Sequence, residues 1–213
     1  MDQFHGYIAR LGYLLSIGKP AIKTALYYPV RDIWAGGSEL EPVCSSNDLL
    51  AKVLLQNQCD FDFIDDDVLE DNSTKVVDGN LIVGPMSYKV VCVSRNRYMS
   101  DKSISKLERF IKSGGKVLWV DNSIGGSTPR GITKATISEL RSLLTPTVAL
   151  ESPNSGIRVC KKVLPNSSIY FVTNEDTCGT SCTLRFSESR PLASLDKLNF
   201  LLFNFIPILP IDS

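Results

Sequence analysis

FDFIDDDVLED, from Phe61 to Asp71, is the stretch on which the reading of this chain turns. Six of its eleven residues are acidic, and Asp65, Asp66 and Asp67 are consecutive. Phe61, Phe63 and Ile64 read as buried strand positions. Asp60 and Asp62 alternate with the two phenylalanines, the period of a strand near a sheet edge. Asp65 to Asp67 then fall at the carboxyl end of that strand. Two readings compete there. In the first, Asp65 or Asp66 caps a short helix over Val68 and Leu69 and the other carboxylates are solvated. In the second, the carboxylates converge on a cation such as Mg²⁺ or Ca²⁺. A calcium loop of the common type needs a glycine at a fixed place, and this run has none, which favours capping.

Upstream of this strand, Tyr7, Ile8, Leu11, Leu14 and Leu15 recur at helical spacing until Gly18-Lys19-Pro20 stops the pattern. IKTALYYPV (Ile22–Val30) reads as a strand and RDIWAGGSELEPVCSS as a loop. Ser46 or Asn47 is placed to cap a helix through Leu49, Leu50, Val53 and Leu54 to about Asn57. Downstream, a hairpin-like pair turns at Asp78-Gly79 or Gly79-Asn80, and Tyr88 to Ser94 reads as a strongly apolar strand. Ser100 to Ser103 opens a helix carrying Ile104, Leu107, Phe110 and Ile111, closed by Ser113-Gly114-Gly115. KVLWVD (Lys116–Asp121) is a further strand, NSIGGSTPRGITK a loop, and Ala135 to Leu144 a last helix.

Helix and strand therefore alternate from 1 to 146, the pattern of a doubly wound α/β domain with a parallel sheet. From Val148 the pattern changes. IRVCKKVL, SIYFVTNE and CTLRFSES are short strands at regular spacing, the opening of an all-β unit over 147–199. The apolar tail FLLFNFIPILPIDS, 200–213, reads as a truncation or altered frame, a sticky patch if it is unpacked.

The totals exclude several classes. The 23 basic and 23 acidic side chains cancel, so nothing draws the chain as a whole to nucleic acid or to an anionic membrane. No apolar run is long enough to span a bilayer. MDQFHGYIARLGYLL has an acid at Asp2, no basic leading region and Arg10 inside its apolar stretch, so it is not a secretory signal; a chain expressed as it stands is expected in the cytoplasm. The six cysteines are scattered and read as reduced thiols. Cys178 and Cys182 form C-x3-C but lack the two further ligands that zinc requires.

No catalytic constellation stands out. His5, the single histidine, lies near the terminus. Cys92 sits mid-strand in VVCVS with no elbow glycine and no histidine after it, against a thiol hydrolase. IGGSTPRG (Ile124–Gly131) lacks phosphate-loop spacing. Past the ends of two strands lie Tyr28, Arg31 and Trp34 on one side and Asp65 and Asp66 on the other. An arginine and an aromatic face there suit sugar binding, set against the plainer reading of a tryptophan packed over a loop. These five residues are the candidate ligand-binding set; no catalytic residue, metal ligand or cofactor is expected.

Taken as a set, YIARLGYLLSIGKPAIKTALYYPVRDIWAG (7–36), FDFIDDDVL (61–69), DGNLIVGPMSYKVVCVSRNRYMS (78–100) and LERFIKSGGKVLWV (107–120) resemble the amidotransferase-like, flavodoxin-like domain that follows the catalytic barrel in α-L-rhamnosidase-type glycoside hydrolases. The β-galactosidase trimerisation domain is a more distant resemblance. IRVCKKVLPNSSIYFVTNEDT (157–177) resembles the opening of the β-sandwich beyond that domain. The resemblance implies that the glycosidase carboxylates belong to a barrel upstream of Met1. It also implies that the acidic stretch serves structure or a domain interface, since glycoside hydrolysis needs two carboxylates across one scissile bond. The expectation is then a non-catalytic fragment that braces a barrel, forms an oligomer contact or lends Arg31, Trp34 and Asp65 to the rim of a sugar site. The alternative is a free-standing module for a small molecule or a cation.

Overall fold

The computed structural model describes residues 2–120, 127–186, 193–194 and 201–204. In chain order the elements begin with α1 (Asp2–Ser16), β1 (Lys19–Pro20), β2 (Thr24–Tyr27), α2 (Val30–Ala35), α3 (Leu40–Gln56), β3 (Phe61–Ile64) and α4 (Asp66–Glu70). Then come β4 (Lys75–Val77), β5 (Asn80–Val83), β6 (Met86–Tyr88), β7 (Val90–Val93), α5 (Asp101–Lys112), β8 (Lys116–Val120) and β9 (Thr133–Ala135). A 3-10 turn (Ile137–Glu139) leads into α6 (Leu140–Leu143), followed by β10 (Ala149–Leu150), β11 (Ile157–Val163) and β12 (Ser168–Asn174). The last described strands are β13 (Leu184–Arg185), β14 (Ala193–Ser194) and β15 (Leu201–Asn204).

These elements form two compact units, 22–146 and 1–21 with 147–213. The first 21 residues group with the second unit, whereas the sequence reading places them in an α/β domain over 1–146. Backbone pairing accounts for the difference. Lys19 and Pro20 of β1 pair antiparallel with Val163 and Lys162 of β11, so the chain leaving α1 is hydrogen-bonded into the later sheet.

The 22–146 unit is α/β. Its five strands run parallel in the order β3-β2-β7-β8-β9. Alternation along each strand splits the core between the two faces of the sheet. Ala25, Tyr27, Val91, Val93, Val117 and Trp119 face one side, covered by Leu69 of α4, Leu107 and Phe110 of α5, and Leu81 and Tyr88 of the β4-β5-β6 sheet. Leu26, Cys92, Leu118 and Val120 face the other, covered by Leu50 and Leu54 of α3 and by Leu140 and Leu144. Helices on both faces explain why β7 and β8 read as continuous apolar runs.

Local chemistry sets the ends of these elements. Ser100 caps α5, its side chain accepting from Ser103 N. Gly114, at φ 100°, lets the chain leave the helix for β8 in a conformation that a side chain resists. The hairpin turn falls at Asp78-Gly79, both left-handed at φ 46° and 70°, as a type I′ turn needs.

Five expectations are corrected. The segment read as a loop, RDIWAGGSELEPVCSS, is mostly helix, α2 and α3. Gly36 and Gly37, both at positive φ, separate the two helices, and Pro42 sits in the first turn of α3, where its missing N–H is not needed. Ser46 and Asn47 are therefore inside α3 and not its cap. Phe63, expected in the core, is 55% exposed, because β3 is an edge strand. The run Tyr88 to Ser94 divides at Lys89: Tyr88 closes the β4-β5-β6 sheet and Val90 opens the parallel strand. Finally, β9 is a fifth parallel strand where the sequence suggested loop and the start of a helix.

In the other unit, β1-β11-β12-β15-β14 form an antiparallel sheet and β10-β13 a two-stranded one. Their core joins Val148, Leu150, Ile157, Val159, Tyr170 and Val172. Tyr170 meets Phe186 edge-on, with ring centroids 4.8 Å apart. Of the apolar tail, Leu201–Asn204 pairs with β12, while 200 and 205–213 lie outside the described residues, as do 121–126 and 187–189 of the third expected strand. Among the described residues, no helix is long and apolar enough to cross a membrane.

Candidate functional site

In open α/β sheets ligands bind outside the carboxyl ends of the strands, so the candidate residues belong to that edge. β2 ends at Tyr27, β3 at Ile64 and β7 at Val93. Asp66, immediately past β3, is wholly buried. Its Oδ2 accepts from the Tyr27 hydroxyl at 2.8 Å and faces Arg31 Nε at 3.1 Å. Its Oδ1 accepts from Ser100 N at 3.0 Å and from Ser103 Oγ at 2.6 Å. Three hydrogen bonds and one ion pair, two contacts to each oxygen, engage the carboxylate. One side chain thus joins β2, α2, α4 and the start of α5. Burial first, and then the charge of Asp66, pushes the Tyr27 phenol far above its ordinary range.

Asp65 is the N-cap of α4, its Oδ1 accepting from Val68 N at 3.0 Å. This is the capping reading of the acidic stretch, realised by Asp65 over Val68 and Leu69. Asp67 is exposed. Asp62 accepts from the Tyr88 hydroxyl at 2.8 Å, and Asp71 turns back to Ser73 N at 2.6 Å. Among the described residues, no group of three or more His, Cys, Asp and Glu is placed to hold a metal ion.

Arg31 spans Asp66 and Glu70, with its second contact at 2.6 Å to Glu70 Oε1. Tyr28 is 40% exposed and meets the Phe63 ring edge-on at 5.4 Å; Phe63 in turn meets Phe61 at 5.2 Å. Trp34 is 75% exposed on α2, so the plainer reading of a tryptophan packed over a loop does not hold. Of the five candidate residues, Arg31 and Asp66 are in direct contact. Asp65 and Asp66 are committed to the fold, and Tyr28 and Trp34 face outward.

Sequence reasoning missed most of the network. Asp32, 4% exposed, accepts from the backbone N–H groups of Arg97 at 2.8 Å and Tyr98 at 3.3 Å. Asn47, 3% exposed, donates to Tyr27 O at 3.0 Å and to Ser94 Oγ at 3.1 Å. Ser46 Oγ accepts from Arg95 N, and Arg95 pairs with Glu39 at 2.7 Å. The β7–α5 loop is thereby tied to α2, α3 and α4. The signal for Asn47 was its spacing with Val43, Leu50 and Leu54 on the buried face of α3. It was obscured because Asn47 read as a cap.

Cys92 is buried mid-strand on β7, and burial pushes its thiol up to about 12; a thiolate nucleophile needs the opposite shift. The neighbouring buried Cys59 is likewise pushed up, to about 11.

No family model matches this chain, and no curated protein matches it. Solved structures do share its fold. An exo-carrageenase of family GH42 from Bacteroides ovatus superposes at a TM-score of 0.56 with 12% identity, over 86% of this chain and 29% of its own. The β-galactosidase from Bacillus circulans sp. alkalophilus gives 0.59 and 12% over 90% and 42%. Gan42B, a GH42 β-galactosidase from G. stearothermophilus, gives 0.53 and 11% over 86% and 40%. The chain spans less than half the length of each of these enzymes. The fold is that of a portion of these glycoside hydrolases.

Proposed function

We propose that this chain is a non-catalytic accessory part of a glycoside hydrolase: a flavodoxin-like α/β unit joined to a β unit, which braces a catalytic barrel or an oligomer. The observation that carries the reading is the carboxyl edge of the parallel sheet. The strand-end side chains that would meet a ligand in this class of fold are bonded here to one another and to the loop after β7. Both oxygens of Asp66 are engaged, by three hydrogen bonds and the Arg31 ion pair, which compete with any substrate proton or cation, and Asp32 and Asn47 tie down the neighbouring loop. The flavodoxin-like assignment rests on the strand order, second-first-third-fourth-fifth along the sheet. The likeness to amidotransferases extends to fold only, since Cys92 has neither elbow nor histidine. Between the two family resemblances, the fold likeness to GH42 β-galactosidases favours the β-galactosidase side; the α-L-rhamnosidase reading is supported by sequence motifs alone.

The outward-facing part of the edge is rich in the residue types that dominate protein interfaces, with Tyr28, Trp34, Phe63 and Tyr98 all exposed. In this reading Trp34, Tyr28 and Arg31 meet the barrel, a second copy or the rim of its sugar site. Two measurements test it together. The purified chain is expected to turn over no aryl glycoside, α-L-rhamnoside and β-galactoside included; turnover abolished by Asp66→Asn at a temperature where that variant is folded would overturn the reading. Sedimentation, alone and with a barrel-bearing glycoside hydrolase, is expected to reveal association weakened by Trp34→Ala.

A further inference from the structure

A cavity of about 350 Å³ opens between α4 and α5; of its lining, Glu70 also touches Arg31 of the strand-end network. Sites for small ligands begin at roughly 300 Å³. Its α5 wall is a stripe of Lys102, Lys106 and Arg109, at the spacing that puts residues on one helix face. Its opposite wall carries Glu70 and Asn72, and Asp101 completes its charged lining.

Lys106 is the unusual member, since it is only 7% exposed. Its ammonium donates to the carbonyls of Asp71 at 2.7 Å and Thr74 at 3.0 Å. An ammonium has three donors, so one N–H remains. The Arg109 guanidinium has no hydrogen bond or ion pair among the described residues. Of the acids, Glu70 is engaged by Arg31 at 2.6 Å and approaches Lys102 only at 3.9 Å. Asp71 is turned to Ser73. Burial, and after it the charge of Arg109, holds the Lys106 ammonium below its ordinary range, against the smaller opposing charge of Asp71. A buried ammonium beside a second cation at an open cavity is an arrangement that an anion would neutralise.

We propose that this cavity is an oxyanion subsite for a phosphate or sulfate group, with Lys102, Lys106 and Arg109 as its donors. Charge-assisted bonds from a guanidinium and an ammonium are the usual means of holding such a group. The proposal is independent of the glycoside-hydrolase reading, because it uses none of the residues at the strand ends.

The test titrates inorganic phosphate, and separately inorganic sulfate, into the full chain at constant ionic strength set with chloride, following backbone amide shifts by NMR. Saturable shifts confined to residues 69–74 and 101–109 are expected. Arg109→Gln and Lys102→Gln lie at exposed positions and should fold normally, and each should weaken binding about tenfold, the loss of one charged hydrogen bond. Phosphate binding that strengthens as pH converts inorganic phosphate from its singly to its doubly charged form, and then exceeds sulfate binding, would assign a phosphoryl ligand; sulfate binding that exceeds phosphate binding throughout would assign a sulfate. Shifts that are linear and spread over the surface, or undiminished binding by Arg109→Gln, would overturn the proposal.

Discussion

The Tyr27 hydroxyl and the Asp66 carboxylate, 39 residues apart in sequence, share a buried 2.8 Å hydrogen bond across the ends of two neighbouring strands. Around that bond the Arg31 ion pair and hydrogen bonds from Ser100 and Ser103 engage both carboxylate oxygens. A satisfied buried network specifies one arrangement, whereas a half-satisfied one is worse than an apolar core. Asp66→Ala would leave these donors facing a void and should cost about 2–4 kcal/mol. Asp66→Asn keeps one acceptor for Ser100 and Ser103 but turns an amide toward Arg31, so its loss should be smaller. Urea unfolding of the two variants measures both. Wild-type stability in Asp66→Ala would mean that the network contributes nothing.

The same bond gives a pH dependence with a definite sign. The Tyr27 phenol is raised far above its ordinary value of 10.0, first by burial and then by Asp66. A group raised on folding contributes stability that is complete below its unfolded value and is lost as pH rises past it. Above about pH 10 the unfolded chain ionises while the native Tyr27 stays protonated, so stability must fall. Tyr27→Phe should be less stable at neutral pH by about 1 kcal/mol or somewhat more, yet lose stability less steeply between pH 10 and 11.5. Tyr88, raised by burial and by its bond to Asp62, contributes in the same direction and remains in the variant. Parallel alkaline limbs for wild type and Tyr27→Phe would contradict the assignment.

Much of the architecture was legible because strong local signals agreed with the fold. Ser100 opens α5 and Gly114 closes it, and the Asp78-Gly79 turn has the backbone its residues favour. Asp65 caps α4 as its position before Val68 and Leu69 implied. What was illegible depended on long-range partners. α2 and the first turns of α3 read as loop because Gly36, Gly37 and Pro42 are local breakers, while the helix there is held by long-range contacts, Asp32 to the loop after β7 and buried Val43. The exposure of Phe63 depends on β3 being an edge strand, a property of strand order. Asp32 gave no sign of its task, since its partners are backbone groups 65 and 66 residues away. The candidate site is legible as a place, the ends of β2 and β3, but its internal partners are not. The sequence puts carboxylates at the strand ends, and only the fold reveals that they are already occupied.

The approach of α5 to β8 yields a steric prediction. A Cβ built on Gly115 would lie 2.1 Å from Cε2 of Phe110, whose ring is fully buried. The ring cannot swing aside without disturbing Val117 and Trp119, which belong to the same core. Gly115→Ala should therefore cost about 1–3 kcal/mol through overpacking. Gly37→Ala provides a control, since a Cβ there meets nothing within 4 Å and only its positive φ of 81° opposes the change. Thermal unfolding should rank Gly115→Ala as clearly the less stable; the reverse order would mean that the core yields more readily than the backbone.

Asp32 carries the last prediction, and it bears directly on whether the strand-end crevice is shut. Its two carboxylate oxygens accept separate backbone N–H groups, Arg97 at 2.8 Å and Tyr98 at 3.3 Å. Asn47 and Ser46 hold the same loop from α3 through Ser94 and Arg95. Asp32→Ala removes the α2 attachment and leaves the α3 ones, so the loop should open locally without unfolding of the sheet. Hydrogen exchange at the amides of Arg97 and Tyr98 should quicken by at least about tenfold, while that of Val91, Cys92 and Val117 is unchanged. If the crevice is closed only by this strap, the variant should also gain a pocket that takes up small apolar probes, absent from the wild type. Unchanged exchange at Arg97 and Tyr98 would mean that the α3 contacts alone hold the loop, and the role given to Asp32 would then fall.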